Sequence, residues 1–125
     1  MDYAYFEGKI IPVEQANINI KTNSLHYGTL VFEGIRTYYN EKQNQLYILF
    51  SNDHYLRLLK NAKAMFMDTN KTPEELTEIT KELLRKSEIR EDTYIRPFVY
   101  FKDLALTPKL KDFTSEIAIY TYKFG

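Results

Sequence analysis

His26-Tyr27-Gly28-Thr29-Leu30-Val31-Phe32-Glu33-Gly34-Ile35-Arg36-Thr37-Tyr38 is the stretch that decides how the chain is read. It sets two glycines, an arginine and four aromatic or imidazole side chains in a segment with strand character. Glycine weakens a strand interior, so it marks a bulge or a place where another group approaches the backbone closely. Alternation puts Phe32, Gly34, Arg36 and Tyr38 on one face and Val31, Glu33, Ile35 and Thr37 on the other. The first face offers an aromatic wall, a gap and a cation. Such a surface suits an anionic, partly apolar small molecule.

A second row has the same character. In Thr93-Tyr94-Ile95-Arg96-Pro97-Phe98-Val99-Tyr100, alternation gathers Tyr94, Arg96, Phe98 and Tyr100 on one face. Two strands that each bring an arginine among aromatics can form a carboxylate pocket, guanidinium for the charge and rings for the body. The structural alternative is that Arg36 and Arg96 sit in ion pairs with Glu33 or Asp103. The residues alone leave both readings open.

Bulk properties narrow the function class. A chain of 125 residues is one domain on length, and 44% hydrophobic residues are enough for a core. Seventeen basic residues balance seventeen acidic ones, which gives no electrostatic reason to bind nucleic acid or an anionic membrane. No apolar run approaches the roughly 20 residues that span a bilayer. The absence of cysteine excludes disulfides, thiolate nucleophiles and thiolate zinc sites, and agrees with a cytoplasmic location. Met1 to Phe6 shows no basic region followed by an apolar core, as a signal peptide would. Eleven tyrosines and eight phenylalanines suit half-wet surfaces such as pockets and interfaces.

Around the two rows the chain predicts an α+β domain with a mixed or antiparallel sheet and two helices packed on one face. Tyr3–Phe6 and Ile10–Val13 flank a turn at Glu7-Gly8-Lys9. A polar stretch through Thr22-Asn23 leads to a strand over Val31–Tyr39, which turns at 40–44 and returns over Leu46–Phe50. Ser51, Asn52 and Asp53 offer N-caps to a helix whose apolar stripe is Tyr55, Leu58, Leu59, Ala62 and Phe66. Thr72-Pro73-Glu74-Glu75 is a capping box with proline in the first turn, opening a helix with the stripe Leu76, Ile79, Leu83 and Leu84. Strands follow at Thr93–Lys102 and Glu116–Phe124, joined by a loop from Asp103 to Thr114 that carries Pro108. The last strand runs to the end of the sequence, which predicts that further chain normally follows.

Other candidate chemistry is thin. Arg57 lies roughly opposite the first helix's stripe and, on periodicity, is a solvated surface residue. His26 and His54 stand at no metal-ligand spacing, so no metal site is predicted. Glu33 forms no convincing acid–base pair, and Glu74-Glu75 is explained by capping. No phosphate-cradling glycine loop, nucleophile elbow or nucleotide fingerprint is present.

The run from His26 to Arg36 closely resembles the branched-chain amino acid aminotransferases, the fold-type IV enzymes that use pyridoxal 5′-phosphate. The likeness continues through Phe6-Glu7-Gly8-Lys9, the helix bearing Arg57-Leu58 and Tyr94-Ile95-Arg96-Pro97, in order and spacing along essentially the whole chain. It covers the family's smaller N-terminal domain, here residues 1–125. The resemblance implies that Arg57 binds the cofactor phosphate. It also implies that Phe32, Gly34 and Tyr94 line the substrate pocket, with the Tyr94 hydroxyl near the substrate carboxylate. Arg96 would receive the side-chain carboxylate of glutamate, with Arg36 supporting the same polar wall. Tyr27 and Leu106 would be offered to a neighbouring subunit's site, implying a homodimer, and Phe124 falls where some members have tryptophan. The loop at Asp103–Thr107 is poorer in glycine than the bacterial pattern.

The implied reaction moves an amino group between leucine, isoleucine or valine and 2-oxoglutarate. The family's Schiff-base lysine belongs to the second domain, beyond Gly125. None of Lys102, Lys109, Lys111 or Lys123 matches it, so this chain by itself is expected to be inactive. The rivals are a standalone binding or interaction module, a same-fold aminodeoxychorismate lyase and a D-amino acid aminotransferase. A standalone module would leave no large apolar face uncovered, whereas a fragment would expose one.

Overall fold

The computed structural model describes residues 2–106 and 113–123. Among these, the chain opens with β1 (Tyr3–Phe6), β2 (Lys9–Pro12), a 3-10 turn at Val13–Gln15 and the short helix α1 (Asn23–Tyr27). It continues with β3 (Leu30–Phe32), β4 (Ile35–Asn40), β5 (Gln45–Ile48), α2 (Ser51–Ala64), α3 (Pro73–Lys86), β6 (Thr93–Phe101) and β7 (Ser115–Lys123). The strands form one sheet in the order β2-β1-β7-β6-β4-β5, with β3 also paired to β6. Every pairing is antiparallel, so the fold is the predicted α+β class.

The first hairpin turns on Glu7 and Gly8, both at positive φ (49° and 80°). That pair of values gives a two-residue turn whose twist matches that of the flanking strands. Lys9 therefore begins β2 instead of completing the turn.

The strand expected over Val31–Tyr39 is divided into β3 and β4, and the cause lies opposite the break. Pro97 has no N–H to donate, so the ladder there retains only the bond from Glu33 N–H to the Pro97 carbonyl, 3.0 Å. No residue is inserted: Phe32 pairs with Phe98 and Ile35 with Ile95, three steps along both strands. The interruption is not a bulge. Of the two meanings of an in-strand glycine, close approach is the one realised.

Alternation then sorts the sheet into two unlike faces. Ile35, Ile95, Val99, Phe101, Ile117 and Ile119 point one way and meet Tyr55, Leu58 and Ala62 of α2 and Leu76, Leu83 and Leu84 of α3. The two long helices thus pack on one face, as predicted, and this is the core. Emptying such a position, for instance by Leu→Ala, typically destabilises a domain by about 2–5 kcal/mol. The opposite face carries Tyr38, Tyr47, Tyr94, Tyr100, Tyr120 and Tyr122 in register, which accounts for much of the unusual tyrosine content.

Two details of α2 differ from expectation. Phe50, at φ 54°, occupies the N-cap without a side-chain hydrogen bond. Ser51 and Asn52, expected as caps, bond instead to Thr77 of α3. At the other end the helix stops at Ala64, and Phe66 adopts φ 63°, which turns its ring outward to 69% exposure. Met67 takes the core place that periodicity gave to Phe66. The capping box of α3 forms as predicted, with Thr72 and Glu75 each accepting from the other's backbone N–H. Pro108 and Phe124 lie outside the described residues.

Candidate functional site

Antiparallel register brings the two aromatic–arginine rows onto the same sheet face. Phe32 pairs with Phe98 and Arg36 with Tyr94, so Phe32, Gly34 and Arg36 adjoin Tyr94, Arg96 and Phe98 away from the helices. The Arg96 guanidinium lies over the Phe32 ring, 4.0 Å from its centroid, and 5.3 Å from that of Tyr94. Both distances fall within cation–π range. Its Nη2–H donates to the Tyr94 hydroxyl at 2.7 Å.

Gly34 is the gap that makes this possible. A Cβ at residue 34 would stand 2.1 Å from Tyr94 Oη and 2.7 Å from Cζ. Only a residue without a side chain lets the tyrosine lie across the strand and reach the arginine.

The clamp has unused bonding capacity. Arg96 Nε is buried with no hydrogen-bond partner, and among the described residues Arg96 faces no carboxylate. A buried guanidinium N–H without a partner calls for an acceptor, and an anion is the strongest one. Because Tyr94 accepts from Arg96, its own proton remains to be donated. Arg36 stands beside them, exposed, with Nη1 3.5 Å from the Tyr38 hydroxyl. The arrangement can hold a carboxylate against an aromatic wall.

The ion pairs considered for Arg36 and Arg96 are not the ones these carboxylates make. Glu33 points to the helix side of the strand and is 6% exposed. It accepts from Arg57 Nε at 2.8 Å and Nη2 at 2.7 Å, and lies 2.8 Å from His54 Nδ1. Asp103 accepts from the backbone N–H of Thr114. The Arg57 bonds hold the Glu33 carboxyl below the usual carboxylate range; burial opposes this and His54 adds to it. Arg57 is therefore no free surface arginine. It is anchored along one edge of its guanidinium, while the side chain as a whole remains 65% exposed.

The structure thus assembles Phe32, Gly34, Tyr94 and Arg96 into one contact set with Arg36 beside it. Arg57 stands on the opposite side of the same strand, joined through Glu33. Tyr27 closes α1, which ends on Gly28 at φ 62°, and its ring is 38% exposed. Leu106 is 81% exposed. Both lie outside the clamp, and Phe124 lies outside the described residues. Hydrogen bonds from Asn23 to the carbonyls of Asp103 and Ala105 draw α1 and the segment after β6 together.

The sequence and the fold resemble those of known proteins. No family model matches the chain. It is 69% identical over all 125 residues to a probable branched-chain-amino-acid aminotransferase of Aquifex aeolicus. It superposes on the branched-chain aminotransferase of Thermoproteus uzoniensis, solved with norvaline, with a TM-score of 0.93 and 33% identity, covering the whole chain and 42% of that protein. A second solved enzyme, from Thermobaculum terrenum in its PLP form, aligns over 97% of the chain and 39% of its own length, with a TM-score of 0.87 and 31% identity.

The chain matches the N-terminal small domain of the branched-chain aminotransferases.

It spans about two fifths of the length of the curated relatives it matches. Spacing in the sequence identifies the clamp residues but does not pair Glu33 with His54 and Arg57. A signal was available: His54 and Arg57 stand three apart and share a helix side. Glu33 is the acidic residue on the strand face turned toward that helix.

Proposed function

We propose that the chain works as the substrate-selecting and phosphate-anchoring domain of a pyridoxal 5′-phosphate-dependent branched-chain aminotransferase. The reaction exchanges an amino group between leucine, isoleucine or valine and 2-oxoglutarate. The observation that carries this reading is the Phe32–Arg96–Tyr94 clamp over Gly34, with its orphaned, buried Arg96 Nε.

Each residue has a physical part. The Phe32 ring and the sheet face around it offer an apolar contact for a branched side chain. Arg96 meets the distal carboxylate of glutamate or 2-oxoglutarate, so one pocket accepts apolar and acidic substrates in turn. Tyr94 donates its hydroxyl proton to a substrate carboxylate, and Arg36 adds positive potential. The donor set also fits the cofactor. Arg57 spends two N–H groups on Glu33 and keeps three of its five for a phosphate dianion. When bound, pyridoxal phosphate supplies the electron sink through which amino groups are exchanged. The lysine that holds it would come from the second domain, beyond Gly125.

Exposed apolar side chains support a covered face. Ile18, Ile20, Leu25, Leu30, Leu104 and Leu106 are all at least 39% exposed, around α1 and the segment after β6. A standalone module would not leave such a surface to water. We read it as the part offered to the rest of the enzyme, with Tyr27, Leu106 and Phe124 serving a homodimer's shared sites in the cytoplasm. Among the described residues no helix is long and apolar enough to cross a membrane.

The test is an assay of the enzyme that carries this domain, with leucine and 2-oxoglutarate as the pair. Formation of glutamate, with much slower turnover of D-alanine, is the expected result. Pyruvate release from aminodeoxychorismate without glutamate formation would overturn the assignment in favour of the lyase.

A further inference from the structure

Glu33 is the most buried charged residue among the described residues, and neither half of the clamp uses it. Its carboxylate is 6% exposed and sits between α2 and the interrupted strand, accepting bonds from Arg57 and facing His54. Burying a carboxylate is unfavourable unless it is paired, and here the partner it stabilises is itself 65% exposed. Stability alone would be served better by an apolar residue at this place. The arrangement fixes a long surface side chain in one orientation.

We infer that Glu33 is the positioning residue of the phosphate site: it holds Arg57 side-on through Nε and Nη2, leaving Nη1 and the remaining Nη2 proton turned outward as a preformed edge for the anion. This rests on the reading of Arg57 as the phosphate ligand and adds the group that aims it. A free arginine must lose rotamer freedom on binding, whereas a pinned one has already lost it. His54 Nδ1 lies 2.8 Å from Oε1, the same oxygen that accepts from Arg57 Nη2, and so gives the carboxylate a second anchor on α2. Position 33 is also fixed along the chain. Phe32 and Gly34 serve the clamp on the other face, so one three-residue segment sets both the substrate side and the anion side of the strand.

Preorganisation and simple electrostatics predict opposite signs. Removing the negative charge beside Arg57 should tighten phosphate binding if charge alone matters. It should weaken binding if orientation matters.

The experiment measures dissociation constants of pyridoxal 5′-phosphate and of phosphate-free pyridoxal for the apoenzyme that carries this domain, by equilibrium dialysis. Wild type, Glu33→Gln and Arg57→Ala are compared. Glu33→Gln keeps the shape and one acceptor but releases the second bond to the guanidinium. The expected result is about a tenfold weaker constant for pyridoxal phosphate, with pyridoxal within twofold of wild type. Equal or tighter binding of pyridoxal phosphate by Glu33→Gln overturns the positioning role. Equal losses for both ligands also overturn it, by showing general damage to the fold. If Arg57→Ala leaves both constants unchanged, the phosphate reading of Arg57 itself fails, and the inference with it.

Discussion

A single methyl group at residue 34 should dismantle the Tyr94–Arg96 pair. The Cβ of Gly34→Ala would lie 2.1 Å from Tyr94 Oη, 2.7 Å from Cζ and 2.9 Å from Cε2, where ordinary contact begins near 3.4 Å. The hydroxyl must therefore retreat by about 1.3 Å. Its bond from Arg96 is 2.7 Å long, and a retreat of that size takes it out of hydrogen-bond range. A bond from a charged donor contributes roughly 1.5–3 kcal/mol, and the lower end applies because this site is half open to water. Alanine in a strand is more favourable than glycine by about 0.5–1 kcal/mol, which offsets part of the loss. The net destabilisation should be about 0.5–1 kcal/mol. Urea unfolding of Gly34→Ala, Tyr94→Ala and the double variant isolates the interaction, with an expected coupling of about 1.5 kcal/mol and a null zone of about 0.5 kcal/mol. If Gly34→Ala has the same effect with and without the Tyr94 ring, the close-approach explanation of the glycine is refuted.

Further outcomes follow from the ion cluster and the helix cap. The Glu33 carboxyl titrates below its ordinary value of 4.5 in the folded state, so its contribution to stability is complete above that value. It is lost as pH falls through the lowered folded value; unfolding free energy measured between pH 3 and 6 should decline less steeply in Glu33→Gln. Thr72→Ala removes one of the two reciprocal bonds of the α3 capping box and should destabilise the domain by about 1 kcal/mol. An unchanged urea midpoint would show that Pro73 and tertiary packing alone start that helix.

The sequence made the faces legible because period-two alternation is a local property. Phe32, Gly34, Arg36, Tyr94 and Arg96 could be assigned to rows from spacing, and the capping box of α3 could be read letter by letter. What spacing could not supply was the partner across space. Glu33 was weighed against Arg36 and Arg96, close in chain or type, whereas its partners come from α2 on the other side of the sheet. The division of β3 from β4 was hidden for a similar reason, since it depends on Pro97 lying opposite, some sixty residues away. Phe66 failed by a different route. The helical period persists in the sequence, but the helix ends at Ala64 and Phe66 itself takes a left-handed conformation that turns it out of the core. The short α1 carries too few residues for any periodicity to register.

Arg96 is proposed to receive a distal carboxylate, and one measurement addresses that role directly. In the enzyme that carries this domain, kcat/KM for glutamate and for leucine would be compared between wild type and Arg96→Ala. Loss of a charge-assisted contact predicts a fall for glutamate at least about tenfold greater than for leucine, since leucine has no side-chain carboxylate for Arg96 to meet. Equal losses for the two substrates would contradict the account and return Arg96 to a structural role beside Phe32.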